Sequence, residues 1–478
     1  MAVRYDLIVV GTGFASIFFL KKYLEKAPVN CRILILERGQ LYTHTQRLKD
    51  KVTNKERSEE FELSSDTSRL IESSDKTWVF EPNFGGGSNC WTGCTPRFMP
   101  SDFKINSTFG VGTDWPISYV DIEPYYNEAE LLMSIAGPEL TPFPRNTPYP
   151  LPSHKLSTID LLLKKRYLDK YISQPAARAS INTENRNACC TSSVCQLCPV
   201  NSKFTIENTF SQLLDDTRIH LEYGAEVFSM TTSSSTANSV LYRQNNEIKE
   251  ASGEVIALGA NAIFNSLILL NCGDQNPLTG AGLSEQVGKY AWFYFDGVNN
   301  LGGSSVITAN GYMFYDGNHR KDYAACLIEN HNQPFIRNEY GKWRQIAKFK
   351  FVYEDLPQNK NKVTVGRNQF VPKVNYTGHS EYAQRGIDQL ESNINKYFSF
   401  LPIDRVEIDS HLQKTEAHIL GTTRMSKSVQ TGVIDKNLIH HKYRNVFVLG
   451  GGSFPSISPS NPTLTLSALS LMAADKSF

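Results

Sequence analysis

The sequence predicts an α/β chain in two parts. A doubly wound, Rossmann-like domain is assembled from both chain ends, and an α+β unit with an antiparallel sheet lies between them. Three observations predict it. A short apolar strand near the start runs into a Gly-rich turn and an amphipathic helix, followed by a second strand. A second strand, glycine loop and helix occupy residues 445–475. The middle of the chain changes texture, with aromatic residues in alternating stretches such as Ala347-Lys348-Phe349-Lys350-Phe351-Val352-Tyr353, which suits strands with one face solvated or facing a cavity. The expected boundaries are 1–284 for the first part of the Rossmann-like domain, 285–410 for the central unit and 411–478 for the C-terminal return.

Composition fits that scale. The 478 residues carry 49 Lys plus Arg against 48 Asp plus Glu, a net charge of +1, with 40% hydrophobic residues. The apolar content excludes global disorder, and the balanced charge argues against a nucleic-acid binder. No stretch approaches the run of about 20 apolar residues that a membrane span needs. Segment 40–75 is polar and weakly periodic, and reads as a surface excursion or lid.

At the N-terminal end, Tyr5–Val10 is the first strand, and Gly11-Thr12-Gly13-Phe14-Ala15-Ser16 opens a helix reaching about Lys26. The pattern is the dinucleotide fingerprint G-x-G-x-x-small. Gly11 permits the tight turn, and Gly13 lets backbone approach a pyrophosphate at the helix N-terminus. Ser16 stands where Gly or Ala is usual and is small enough for helix–strand packing. The second strand, Arg32–Leu36, ends at Glu37 and Arg38, which places an acid where ribose hydroxyls would donate. This end has neither a twin-arginine motif nor a cleavage site, so cytoplasmic residence is expected, with export beside a partner subunit left open.

At the C-terminal end, strand Asn445–Leu449 leads into Gly450-Gly451-Gly452-Ser453-Phe454-Pro455. Ser460-Asn461-Pro462-Thr463-Leu464-Thr465 then opens a helix expected over Leu466–Asp475, with Thr463 or Thr465 as its cap. Gly452, Ser453, Asn461 and Thr463 are candidate ligand-facing positions.

Taken together these segments resemble the glucose–methanol–choline (GMC) family of flavin oxidoreductases, over most of the chain and in the expected order. Asn83-Phe84-Gly85-Gly86-Gly87-Ser88-Asn89-Cys90-Trp91-Thr92-Gly93 resembles the family's Gly-rich segment beside the flavin. Asp114-Trp115-Pro116-Ile117-Ser118-Tyr119 and Pro124-Tyr125-Tyr126, with Glu128 and Glu130, resemble its "DWP…PYY…AE" signature. Glu254–Ala260, Val287-Gly288-Lys289-Tyr290 and His418-Ile419-Leu420-Gly421-Thr422-Thr423-Arg424-Met425 follow, and Asn461-Pro462-Thr463-Leu464-Thr465 completes the set. The branch most similar overall is that of pyranose oxidases and FAD-dependent sugar dehydrogenases.

The resemblance implies FAD, bound by the fingerprint and by Gly86, Gly87, Asn89, Cys90, Trp91 and Thr92. It implies His418 as general base and Asn461 as the partner that hydrogen-bonds the substrate oxygen, a role His suits because its pKa lies near working pH. Cys90 stands where the pyranose-oxidase branch carries the histidine that binds flavin covalently, so a histidyl bond is excluded and non-covalent FAD is expected. The implied activity is oxidation of a CH–OH group of a sugar, polyol or related alcohol. An oxygen-using oxidase and a lyase with structural FAD are the alternatives.

Four of nine cysteines, Cys189, Cys190, Cys195 and Cys198, crowd into ten residues as C-C-x4-C-x2-C-P. Thiolates so close on a loop suit an iron–sulfur cluster, with Cys190, Cys195 and Cys198 as ligands and Cys189 as a fourth ligand or neighbour. The run resembles the C-C-x4-C-x3-C-P cluster loop of bacterial sugar dehydrogenases, one residue shorter. Zinc, two disulfides, and a structural loop ending in the Pro199–Lys203 "C-P-x-x-x-K" turn compete with it. A cluster would pass electrons to an electron-transfer protein or small subunit, and would make the enzyme a dehydrogenase.

Overall fold

A computed structural model describes residues 4–53, 70–73 and 76–478, and side chains from 51 to 53 are left aside. Half of the segment expected as a lid, 40–75, therefore lies outside the described residues; its near end is a helix, His44–Thr53.

The first sheet has seven strands. Arg4–Val10 lies between Ile33–Leu36 and the long strand Glu247–Leu258, parallel to both. Ile219–Glu222 extends the parallel set beyond Ile33–Leu36. Glu247–Leu258 has two neighbours on one edge. Its first half pairs antiparallel with Thr236–Gln244, which pairs in turn with Glu226–Ser233. Its last three residues pair parallel with Val446–Val448. Both chain ends thus meet on one strand. The central strands read as continuous apolar runs, and Leu7–Leu36 side chains such as Ile8, Val9, Ile33 and Ile35 are wholly buried.

Helix Phe14–Lys26 starts at Gly13 and packs against the terminal helix Thr463–Ser477, with the Tyr23 ring 4.7 Å from that of Phe478. The terminal helix starts three residues earlier than the sequence suggests. Neither Thr463 nor Thr465 caps it: Pro462 is the cap position, and the Thr465 hydroxyl instead meets that of Tyr126 at 2.8 Å.

The second sheet is six-stranded and antiparallel, in the order Ile403–Ile408, Val287–Phe295, Ile346–Tyr353, Cys326–His331, Ile307–Phe314 and Tyr171–Ser173. Its edge strand Tyr171–Ser173 precedes residue 285, and helix Thr158–Tyr167 shares the same core through Ile159 and Leu163. Conversely, the hairpin Lys362–Asn375 packs with Ile263 and Leu267 of helix Asn261–Asn271, on the first-sheet side. The alternation around Lys350 is realised. Ala347, Phe349 and Phe351 point into a core with Phe293 and Phe398, while Lys350 lines a cavity between the two sheets.

Residues of the "DWP…PYY…AE" signature are braces. Arg97 binds both Glu130 oxygens, at 2.7 and 2.8 Å, and Trp115 donates to Ser456 at 2.7 Å. They fix the loop that carries Asn461 against the body of the first domain.

Candidate active site

Two cavities join between the sheets. The first is a groove lined by Val10–Ala15, by Leu36, Glu37 and Arg38, by Gly86 and Gly87, and by Gly450 and Gly451. Gly11 has φ +85°, and a Cβ there would sit 2.9 Å from the Gly259 carbonyl oxygen, so the turn admits only glycine. A Cβ on Gly13 or Gly87 would meet nothing within 4 Å, because both border open space. Ser16 is buried and donates to the Val10 carbonyl at 3.1 Å, which locks the helix to the strand rather than facing the groove.

Glu37 lines the groove, and its oxygens already accept from Thr12 N at 3.0 Å and Gly39 N at 2.8 Å. Burial raises its pKa, against these hydrogen bonds. Oε2 accepts a second bond from the Thr12 hydroxyl, so Oε1 keeps the lone pair for a further donor. Arg38 lies over the Phe264 ring at 4.4 Å and pairs with Glu226 at 2.6 Å. Asn89, Gly452 and Ser453 do not line either cavity. Asn89 donates to Phe84 O, Ser453 to Gly450 O, and a Cβ on Gly452 would strike Thr423. Their work is to shape the loops whose neighbours, Gly450 and Gly451, face the groove.

The second cavity shares Phe14, Val79, Phe80, Gly87 and Ala417 with the groove, and adds Cys90, Trp91, Thr92, His418, Asn461 and Thr463. His418 and Asn461, 43 positions apart in sequence, therefore face one space. The histidine follows Ala417, whose φ of 58° is left-handed without being glycine. That strained turn is held by Glu285, whose Oε1 accepts from the Thr415 hydroxyl at 2.7 Å and from the backbone of Glu416 and His418 at 2.9 and 3.1 Å.

Gln286 decides the tautomer. Its amide nitrogen donates to the Ser458 and Ser460 carbonyls at 2.9 and 3.0 Å, so its Oε1 must face His418 Nδ1, 3.1 Å away. An amide oxygen only accepts, so Nδ1 carries the proton and Nε2 keeps its lone pair. Burial lowers the His418 pKa to about 4, and the ring is neutral at pH 7. Asn461 Oδ1 is buried with no protein partner.

The sequence offered no sign of Gln286, Glu285, Glu329, Lys350 or Glu416 at this site. Cross-strand register assembles three members of it: Lys350 lies opposite both Tyr290 and Glu329. The only local signal was the polar half of the alternation at Lys350.

The cysteine loop divides between interior and surface. Cys195 and Cys198 are buried, Cys189 is partly buried and Cys190 faces solvent; all four are free thiols. Among the described residues, no three His, Cys, Asp or Glu side chains are grouped so as to hold a metal ion. Of the expected ligands, Cys195 and Cys198 turn inward and Cys190 turns outward. The interior position is taken by Lys203, whose Nζ donates to Gln196 O at 2.6 Å, Trp91 O at 2.9 Å and Asn89 O at 3.0 Å. Three carbonyls satisfy all three ammonium protons and fasten the loop to the segment that walls the second cavity. Burial lowers the Lys203 pKa to about 8.

A glycine-lined groove opening onto a cavity with a neutral histidine suits an oxidoreductase. Residues 367–470 match the family described as GMC oxidoreductase. The fructose dehydrogenase large subunit of Gluconobacter japonicus is 27% identical over 438 residues, covering 82% of this chain and 79% of that protein. The 2-methyl-1,2-propanediol dehydrogenase of Mycolicibacterium austroafricanum is 23% identical over 82% of this chain and 80% of its own length. The 6'''-hydroxyparomomycin C oxidase of Streptomyces lividus is 22% identical over 83% and 79%. Pyridoxine 4-oxidase from Mesorbium loti shares the fold at a TM-score of 0.70 and 13% identity, over 99% of both chains. The chain is thus similar to the GMC oxidoreductases, with the family's own match lying over residues 367–470. Among the described residues, no helix is long and apolar enough to cross a membrane.

Proposed function

We propose that the protein is an FAD-dependent oxidoreductase that oxidises a CH–OH group of a sugar, polyol or related alcohol. The observation that carries this reading is the Gln286–His418 pair, which leaves Nε2 as a free base in a cavity continuous with the fingerprint groove. The groove suits FAD. Glycine backbones border its open space, an acid ends it at Glu37, and it leads to the unpartnered Asn461 Oδ1. Bound there, FAD supplies the two-electron acceptor for the hydride leaving the carbinol carbon.

The chain supplies the rest. Asn461 orients the alcohol oxygen by donating to it from its amide nitrogen. His418 Nε2 takes the hydroxyl proton as the carbon–oxygen bond becomes a carbonyl, and Gln286 stabilises the resulting imidazolium through Nδ1–H. Trp91, Phe14 and Phe80 wall the cavity with apolar surface. Cys90 lines it with a thiol that burial pushes up to about 11, protonated and unreactive, which supports non-covalent FAD. The relatives named above include dehydrogenases and oxidases. The acceptor is therefore read by reoxidising the reduced enzyme with dioxygen or with a quinone. By its name the Gluconobacter relative works as one subunit of an assembly, and light scattering on this chain tests for the same.

Anaerobic mixing with a panel of sugars and polyols should bleach the flavin bands. His418→Ala should keep the flavin and slow bleaching about 10²- to 10⁴-fold. Protein that holds no flavin after reconstitution, or flavin that no alcohol reduces, would overturn the reading.

A further inference from the structure

The second cavity holds more charge than alcohol oxidation requires. Glu329, His331, Lys350 and Glu416 all line it beside His418 and Asn461. Lys350 Nζ binds Glu416 Oε2 at 2.5 Å, and Lys350 is the cation of the set. Lys76 pairs with Glu285 at 2.6 Å outside the cavity wall, and Lys348 lies over the Tyr290 ring at 3.8 Å without lining the cavity. His331, 3.7 Å from Glu329, is kept neutral by burial. One ammonium therefore faces two carboxylates.

The acceptors are also open. Glu329 Oε1, Glu416 Oε1 and Asn461 Oδ1 are all buried without a protein hydrogen-bond partner, and Glu329 is only 3% exposed. Burial would raise the Glu329 pKa, yet His331, Lys350 and Asn461 hold it below the usual carboxylate range, so it stays ionised. Burial raises Glu416 to about 7, against Lys350, with Glu329 and Glu285 adding repulsion. Buried acceptors lacking donors, with a negative charge lacking a counterion, are costly unless a ligand completes them.

A neutral polyol would satisfy the lone pairs and leave the charge. An ammonium group satisfies both. We propose that the cavity selects an amino alcohol, whose protonated amine is held by Glu329 and Glu416 while its carbinol lies against His418 and Asn461. Glu329 and Asn461 line the same cavity, so one small ligand can place its amine and its carbinol there together. This rests on the alcohol-oxidising reading above.

The test uses the FAD-loaded protein near neutral pH, where alkyl amines are protonated. Binding is followed by perturbation of the flavin absorbance, and turnover by anaerobic bleaching. The probes are D-glucosamine against D-glucose and N-acetyl-D-glucosamine, and ethanolamine against ethylene glycol. The amines should bind about tenfold or more tighter than their neutral counterparts. Glu329→Gln and Glu416→Gln should each cut that ratio to about twofold or less, with retained flavin showing that the variants are folded. Equal or weaker binding of the amines would overturn the proposal and mean that a proton on Glu416 settles the charge. So would a ratio unchanged in both variants. Amine-selective binding with no bleaching by any alcohol would leave the amine site standing and overturn the oxidoreductase reading instead.

Discussion

Gln286 is the residue on which the chemistry turns. Replacing it with Leu removes the acceptor at Nδ1 and frees the ring to take either tautomer, so turnover should fall about 10- to 100-fold with flavin content unchanged. Gln286→Glu should act differently. A carboxylate at Nδ1 favours the imidazolium and raises the His418 pKa from about 4. A base works only when unprotonated, so activity is lost as pH falls through its pKa. The acid limb of kcat should therefore lie near pH 4 in the natural enzyme and move upward in the Glu variant. A limb that stays in place would show that His418 is not the titrating base. Neither Gln286 nor Glu329 was legible in the sequence. His418 and Asn461 stand in runs with their own local pattern, whereas Gln286 and Glu329 acquire meaning only when separate strands and loops converge. Glu37 shows the intermediate case: its place at a strand end was readable, its bonds to Thr12 and Gly39 were not.

At the scale of elements, the loop 187–203 depends on one buried ammonium. Lys203→Met leaves three carbonyls, of Asn89, Trp91 and Gln196, without a donor, at about 1–3 kcal/mol for each that water cannot reach. The loop should then exchange amide hydrogens faster and become cleavable near residue 190, which mass spectrometry reads directly. The cysteine spacing was open to several chemistries because four thiols and a proline do not say which of them turn inward. The signature braces carry a comparable debt. Glu130→Ala leaves the buried Arg97 guanidinium with Tyr119, Asn127 and a longer 3.8 Å pair to Glu123, and should cost about 3 kcal/mol of stability in denaturant unfolding. By contrast, the N-terminal strand, turn and helix were readable almost to the residue. There the apolar period, the obligatory glycines and the helix start all lie within one contiguous segment.

At the scale of the whole molecule, the fingerprint groove is built from residues near 11, 37, 86, 226, 260 and 450 at once. A cofactor that spans them ties the segments together, so FAD should stabilise the chain as a ligand of the folded state alone. At about 100-fold over its Kd the gain is about 2.7 kcal/mol, and thermal melts should shift upward by several degrees on reconstitution. No shift would mean that the groove is not the binding site. The overall α/β division was visible in the sequence because texture changes with sheet type. The traffic between the two sheets was not, since strand Tyr171–Ser173 and hairpin Lys362–Asn375 each join the layer that their position in the chain would not suggest.

The strand Glu247–Leu258 also sets a timetable for synthesis. Its neighbour Arg4–Val10 already exists when it is made, while Val446–Val448, which completes its far edge, is made about 190 residues after it. At about 5–20 residues per second, the nascent sheet waits roughly 10 to 40 seconds with that edge uncovered. Throughout this interval the growing chain has a template for wrong pairing and no complete pocket. Cofactor loading must therefore follow translation of the C-terminal return, and chaperone supply during expression, rather than flavin supply, should govern the yield of active enzyme.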